Sequence, residues 1–109
     1  MSKDFNLPPV DVMEKKVAEA KIYHFYPLIL KKFEEFGREH VNDIERFVHG
    51  LKKNPPSVKI VDYVAIQIAR CVIGHFNIII WIDYYRINRL HLMAIFKKAL
   101  KDSGISQML

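Results

Sequence analysis

The sequence predicts an all-α protein, a compact bundle of four to five helices around one strongly apolar central helix. Hydrophobic residues recur at three- and four-residue steps along most of the chain, which is the period of a helix. The stretch from about residue 57 to 82 is apolar on nearly every face, as expected of a helix inside a bundle or a membrane. At 109 residues, 50% of them hydrophobic, we expect one globular domain over 1–109.

The N-terminal part of the chain predicts an amphipathic helix after a loose arm. Residues 1–8 are expected to be flexible. Asp11 suits an N-cap, because Glu14 follows three residues later in the manner of a capping box. Apolar and charged residues then alternate at helical spacing, so this helix is expected to pack one face on the core.

Two further helices are predicted before the apolar stretch. Pro27 removes a backbone donor and so indicates a kink or the first turn of a helix over 28–39, which Gly37 could end. The next helix is expected over 44–53, with Asn42 or Asp43 as its N-cap. Its inward positions are expected to be Ile44, Phe47, Val48 and Leu51.

The apolar stretch itself is read as a buried helix with Ser57 as its N-cap. A membrane span is disfavoured, because Arg70, His75 and Asn77 would cost several kcal/mol in a bilayer, roughly 2.5–3.5 for a central Arg alone. The β-branched residues at 77–82 leave a short strand open as an alternative. Cys71, with apolar neighbours, is expected to be a buried, inert thiol.

The last helix is predicted over 88–101 and ends at Ser103-Gly104, since glycine favours a helix C-terminus. Residues 104–109 are expected to form a frayed, flexible tail. The apolar positions expected to face the core are Leu90, Leu92, Met93, Ile95, Phe96 and Leu100.

Charge is distributed unevenly along the chain, whose net charge is +5. Residues 1–45 carry seven basic and nine acidic side chains, whereas residues 46–101 carry ten basic and two acidic ones. Such asymmetry indicates an anionic partner, or attraction between the two halves within one fold or between copies. The nucleic-acid contacts predicted from this pattern are Arg86, Arg89, Lys97, Lys98 and Lys101, with Tyr84 and Tyr85 as stacking residues. The alternative is that the aromatic residues belong to a core or an interface.

Two Arg–His spacings could carry catalysis, Arg70 with His75 and Arg86 with His91. Their spacing is similar to the Arg-x(4–6)-His motif of the HEPN ribonucleases, which are small helical bundles that commonly dimerise. The resemblance implies that the imidazole moves a proton at the ribose while the guanidinium stabilises the phosphate. The residue after the arginine is usually polar in that family but is Cys71 or Ile87 here. The alternative for Arg70 and His75 is a buried polar pair satisfied by nearby polar groups.

Metal binding is not predicted. The nearest grouping, Glu39-His40 with Asp43, lacks the i,i+4 histidine pair that zinc sites on helices use. The isolated histidines His24, His40 and His49 are expected at the surface or at a rim. No cofactor is expected. A single cysteine and the lack of an apolar leader favour the cytoplasm.

The leading functional hypothesis is a self-associating binding protein rather than an enzyme. It is expected to bind DNA or RNA non-specifically through its basic C-terminal half, without a membrane partner. A homodimer is expected because the central helix is apolar on more faces than one small bundle can cover. The alternatives are a protein-interaction or scaffold module with an aromatic interface, and a ribonuclease that uses an Arg-x4-His pair.

Overall fold

The fold was obtained as a computed structural model, which describes residues 22–73 and 88–109. These residues form an all-α bundle, as the sequence predicts, and no strand occurs among them. The elements are α1 (Tyr26–Glu39), α2 (Val41–Lys53), α3 (Ile60–Val72), α4 (Arg89–Asp102) and a C-terminal 3₁₀ helix (Ile105–Met108). The predicted helix after Asp11, the flexible arm 1–8 and the alternative strand at 77–82 lie outside the described residues.

Helix α1 begins at Tyr26, with Pro27 in its first turn, where the missing N–H costs no hydrogen bond. Ile29, Phe33 and Gly37 follow at four-residue steps and are buried. The prediction that Gly37 ends the helix is wrong. A Cβ at this position would lie 3.0 Å from Ile105 Cγ1, so the glycine provides close packing for the C-terminal 3₁₀ helix instead.

Helix α2 is capped by His40, which corrects the prediction of Asn42 or Asp43. Only this residue separates α1 from α2. Its N–H donates to the carbonyl of Phe36 in α1, and its own carbonyl accepts from Ile44 N in α2, both at 2.9 Å. The buried positions of α2 are Ile44 and Val48. Phe47, predicted to point inward, is 39% exposed, while Leu51 is partly buried against the core.

Helix α3 contacts α1, α2 and α4, and α1 likewise contacts the three other helices, so both lie inside the bundle. The N-cap of α3 is Lys59, not Ser57, and the helix ends at Val72 with Ile73 as the C-cap. The remainder of the stretch predicted over about 57–82, from residue 74 onward, lies outside the described residues. The buried side chains of α3 are Val64, Ala65, Ile68 and Ala69.

The opposite side of α3 is open. Arg70 and Cys71 are both exposed, so the predictions of a buried polar pair at Arg70 and of a buried thiol at Cys71 are wrong. Arg70 lies away from the buried stripe of α3, and Cys71 lies at the edge of that stripe. The predicted burial on all sides therefore holds for only part of this helix.

Helix α4 begins at the N-cap Asn88, whose side chain accepts a 2.7 Å hydrogen bond from Leu90 N. Leu90 was predicted to be buried but is 77% exposed, because it lies in the first turn and away from the inward stripe. That stripe consists of Leu92, Ile95, Phe96, Ala99 and Leu100.

The C-terminus is packed rather than frayed. Helix α4 ends at Ser103-Gly104 as predicted, with Gly104 at a φ of +84°, which glycine adopts without a steric penalty. Ile105 is only 1% exposed and packs against Gly37, which corrects the prediction of a loose tail at 104–109. The 3₁₀ helix thereby covers the C-terminal end of α1.

The core lies between α1, α3 and α4. Phe33 and Phe96 stack at its centre with ring centroids 6.4 Å apart and planes inclined by 18°. Full burial of each such side chain contributes about 1.5–3 kcal/mol. No buried residue of the described part is polar or charged. None of the helices in that part has the length and apolar character needed to cross a membrane.

Candidate functional site

The predicted nucleic-acid residues are only partly covered by the described residues. Tyr84, Tyr85 and Arg86 lie outside them, so their roles stay predictions. Arg89 and Lys101 are exposed, at opposite ends of α4, and neither forms an ion pair within the described part of the chain. They are therefore available to an anion.

Lys97 and Lys98 are engaged within the bundle. Lys97 Nζ lies 3.2 Å from Asp62 Oδ1, an ion pair that joins α4 to the first turn of α3. Lys98 Nζ donates a 2.7 Å hydrogen bond to Asp102 Oδ2 and lies 4.6 Å from the centroid of the Tyr26 ring. Both ammonium groups already face carboxylates, so we expect them to contribute less to phosphate binding than the sequence predicts.

The Asp102 carboxylate binds a second donor, the hydroxyl of Tyr26, at 2.7 Å. The hydrogen bonds from Lys98 and then Tyr26 hold the pKa of Asp102 below its usual range. Burial and the hydrogen bond to Asp102 raise the pKa of Tyr26 well above its ordinary value. This arrangement is a structural clasp between α1 and α4, and a phosphate near Asp102 would meet a negative charge.

A different set of cations borders the connection between α2 and α3. Lys52 and Lys53 end α2, and Lys59 caps α3. All three are exposed, and none forms an ion pair with a described residue. We call Lys52, Lys53 and Lys59 the basic loop. The sequence contains these three lysines within eight residues around Asn54-Pro55-Pro56-Ser57. The nucleic-acid contacts were nevertheless predicted farther along the chain, on α4 and just before it.

Neither Arg–His pair is assembled by the described residues. Arg70 is exposed, and its predicted partner His75 lies outside the described ranges, as does Arg86. The His91 ring packs edge-on against Tyr23, with centroids 5.2 Å apart, and its Nε2 is buried without a hydrogen-bond partner among the described residues. The ribonuclease hypothesis therefore stays a prediction.

Among the histidines that the structure describes, His40 lies beside an acidic group, with its Nδ1 3.4 Å from Asp43 Oδ2. Arg46 donates a hydrogen bond to the other oxygen of Asp43. The hydrogen bonds from Arg46 and then His40 lower the pKa of Asp43. Within residues 22–73 and 88–109, no three His, Cys, Asp or Glu side chains are grouped so that they could hold a metal ion. His24 and His49 are exposed, as predicted.

An apolar groove of about 260 Å³ runs between α2 and α3 and is closed on one side by α1. We call it the α2–α3 groove. Phe47 forms one wall, and its ring lies 5.9 Å from that of Tyr63. Phe47 and Cys71 were expected in the core, so this surface was not predicted from the sequence. The residues that line the groove are Phe36, Asp43, Ile44, Phe47, Val64, Gln67, Ile68 and Cys71.

Comparison with protein families, with curated proteins and with solved structures gives no match to this chain. Its function is therefore inferred from its own surfaces. Among the described residues two surfaces combine exposure with a defined chemistry. The basic loop offers unpaired cations, and the α2–α3 groove offers an unfilled apolar surface.

Proposed function

We propose that this protein binds nucleic acid non-specifically through the basic loop, assisted by Arg89 and Lys101. The observation that carries the proposal is the exposure of Lys52, Lys53 and Lys59 without any acidic partner among the described residues. A polyanion can approach these ammonium groups without first breaking an ion pair. Phosphate neutralisation then releases condensed counterions, which drives the association. The cytoplasm remains the proposed location.

The proposed binding is independent of sequence for a chemical reason. Lysine is a compact point charge on a flexible stem, and it contacts phosphates without the planar, bidentate geometry that distinguishes bases. The three lysines lie at a helix end and beside a loop, not along one helix face that could enter a major groove. Contacts of this kind follow the backbone of either DNA or RNA.

The test is a fluorescence-polarisation titration with labelled single- and double-stranded DNA and RNA at two salt concentrations. The test variant carries Lys52→Gln, Lys53→Gln and Lys59→Gln. A matched control, Lys31→Gln with Lys32→Gln and Arg38→Gln, removes the same charge from α1. Because net charge changes equally, a difference between the two variants reports the location of binding.

We expect salt-sensitive binding by the wild-type protein at micromolar concentration, and a loss of at least tenfold in the basic-loop variant at low salt. If all three lysines contact phosphates of duplex DNA, the slope of log K against log salt falls by about 2–3, at roughly 0.9 for each contact. The α1 control should lose much less. Equal losses in the two variants would contradict the assignment to the basic loop, and the absence of wild-type binding would overturn the function.

A further inference from the structure

Helix α3 has an outward face on which a cation, an aromatic ring, an amide and a second cation follow one another. At 3.6 residues per turn, steps of four, four and three residues keep these side chains within an arc of about 80°. The buried side chains of α3 occupy the other side of the helix, and none of the outward four is buried. The residues of this outward face are Lys59, Tyr63, Gln67 and Arg70.

The aromatic ring on this face belongs to a pair. Phe47 of α2 lies beside Tyr63, with ring centroids 5.9 Å apart and planes inclined by 35°. Phe47 is 39% exposed and Tyr63 is partly exposed, so both rings remain in contact with water. Exposed aromatic rings beside cations are the surface on which unpaired bases stack, and every base has a π-face that can do so. In a duplex the neighbouring bases cover these faces, so the pair can stack only on a single strand.

Unpaired cations lie at both ends of the outward face. Lys59, which belongs to the basic loop, precedes Tyr63 by one turn, and Arg70 follows it by two turns. Neither cation forms an ion pair with a described residue. A rise of 1.5 Å per residue separates them by about 16 Å along the helix, which spans several phosphates of a stacked strand at about 3.4 Å each. The carboxylate of Asp43 across the α2–α3 groove is compensated by Arg46, so it does not cancel these charges.

We propose that the outward face of α3 binds a single strand of nucleic acid, an inference that rests on the function proposed above and names its substrate. Lys59 and Arg70 contact phosphates, and an unpaired base stacks on the Phe47–Tyr63 pair. Gln67 lies between the stacked base and Arg70, where its amide can both donate to and accept from the edge of a base. Stacking and an amide of this kind tolerate any base, so the binding stays independent of sequence.

The experiment separates base contacts from phosphate contacts by comparing three ligands. These are a labelled oligothymidine, an abasic strand with the same number of phosphates, and a duplex of the same length, each titrated by fluorescence polarisation. We expect the wild-type protein to bind the intact strand at least ~5-fold more tightly than the abasic strand, because only the intact strand has a base to stack.

The test variants are Tyr63→Leu and Phe47→Leu, each of which keeps an apolar side chain and removes a ring. We expect each to lose at least ~5-fold in affinity for the intact strand and to bind the abasic strand and the duplex as the wild type does. Their salt slopes should equal that of the wild type, because the phosphate contacts remain. Tyr23→Leu is the matched control, since Tyr23 is half exposed but packs against His91 of α4. Circular dichroism with thermal unfolding checks that the variants fold.

The phosphate contact at the far end of the face is tested with Arg70→Gln. We expect the slope of log K against log salt for the single strand to fall by about 0.7, the value for one phosphate contact of a single strand. The ratio of affinities for the intact and abasic strands should stay that of the wild type, because the ring pair is unchanged. Arg70→Gln thus moves the salt dependence, and the ring variants move the discrimination between strands.

Equal affinity of the wild-type protein for the intact and abasic strands would overturn this inference. A discrimination that Tyr23→Leu abolishes and both ring variants on α2 and α3 retain would overturn it equally. In either case the basic-loop variant can still lose affinity for every strand, and the function proposed above would stand. Absence of salt-sensitive binding to any of the three ligands would overturn both, so the two failures are distinguishable.

Discussion

The Tyr26 hydroxyl donates a 2.7 Å hydrogen bond to Asp102 Oδ2 and so joins the first turn of α1 to the last residue of α4. Lys98 Nζ donates to the same oxygen, also at 2.7 Å, and lies over the Tyr26 ring. The pKa of Asp102 is lowered by these hydrogen bonds, while burial and the same carboxylate raise the pKa of Tyr26. These hydrogen bonds therefore make the free energy of unfolding depend on pH in both acid and alkaline solution.

The acid side of this dependence is tested with Asp102→Asn. Because the folded-state pKa of Asp102 lies below the unfolded value of about 3.9, its stabilising contribution is complete above that pH and is lost as pH falls through the folded value. We expect the difference in unfolding free energy between wild type and Asp102→Asn to be constant from about pH 5 to 8 and to shrink below about pH 4. Urea denaturation followed by circular dichroism measures it, and a difference that stays constant throughout acid conditions would contradict the prediction.

The alkaline side is tested with Tyr26→Phe. Since the folded-state pKa of Tyr26 is raised, the contribution of its hydroxyl is complete below the unfolded pKa of about 10 and is lost as pH rises beyond it. The wild-type protein should lose stability above about pH 10 more steeply than Tyr26→Phe does. Tyr63→Phe is the control, because the Tyr63 hydroxyl bonds to no carboxylate in the described part of the chain. Parallel curves for wild type and Tyr26→Phe would refute the assignment.

The helical spacing of the hydrophobic residues predicts the helices of this fold and most of their buried positions. Ile29 and Phe33 in α1, and Leu92 and Phe96 in α4, follow the helical spacing and are buried, whereas Leu90, also predicted inward on α4, is exposed. The same period placed Phe47 inward, yet 39% of its surface is exposed. Periodicity identifies a face of a helix, but the number of neighbours that cover the face depends on the whole bundle.

The candidate site was harder to predict because ion pairing joins residues distant in sequence. Lys97 and Arg89 share a basic segment, and nothing local distinguishes them. Lys97 pairs with Asp62 of another helix, whereas Lys98 pairs with Asp102 four residues later and lies over the ring of Tyr26 from α1. Only the packing of α4 on α1 and α3 shows which cations remain available to a ligand.

The Lys97–Asp62 ion pair predicts a specific loss of stability. Asp62 is only 27% exposed, and its Oδ1 is buried without a well-aligned hydrogen bond, so the Lys97 ammonium at 3.2 Å is its compensating charge. Lys97→Met keeps the apolar stem and removes the charge, and we expect a loss of about 1 kcal/mol, at the low end for a buried acceptor left unpaired because Lys97 is partly solvated. Urea denaturation at neutral pH measures it. Lys101→Met, at an unpaired and exposed site, should stay within about 0.5 kcal/mol, and an equal loss in both variants would argue against the pair.

The Phe33–Phe96 stack predicts the largest effect of a single core substitution. Phe33 is completely buried and contacts Phe96 in the stacked arrangement. Phe33→Ala removes both the transfer free energy of the ring and its contacts, so we expect a loss of about 3–5 kcal/mol. Phe47→Ala should cost much less because that ring is already partly in water. Similar losses at the two positions would mean that Phe33 is not at the centre of the core.

The contact between Gly37 and Ile105 predicts that the effect of Gly37→Ala on stability changes sign when Ile105 is replaced. A Cβ added at Gly37 would lie 3.0 Å from Ile105 Cγ1 and 3.1 Å from Cδ1, so Gly37→Ala must displace a side chain that is itself fully packed. Overpacking of this kind costs about 1–3 kcal/mol, whereas alanine in a helix interior gains about 1 kcal/mol over glycine. We therefore expect Gly37→Ala to destabilise the wild-type protein and to stabilise the Ile105→Ala variant. A double-mutant cycle by urea denaturation should give a coupling of at least about 1 kcal/mol, and additive effects would show that the 3₁₀ helix does not pack on α1 through this glycine.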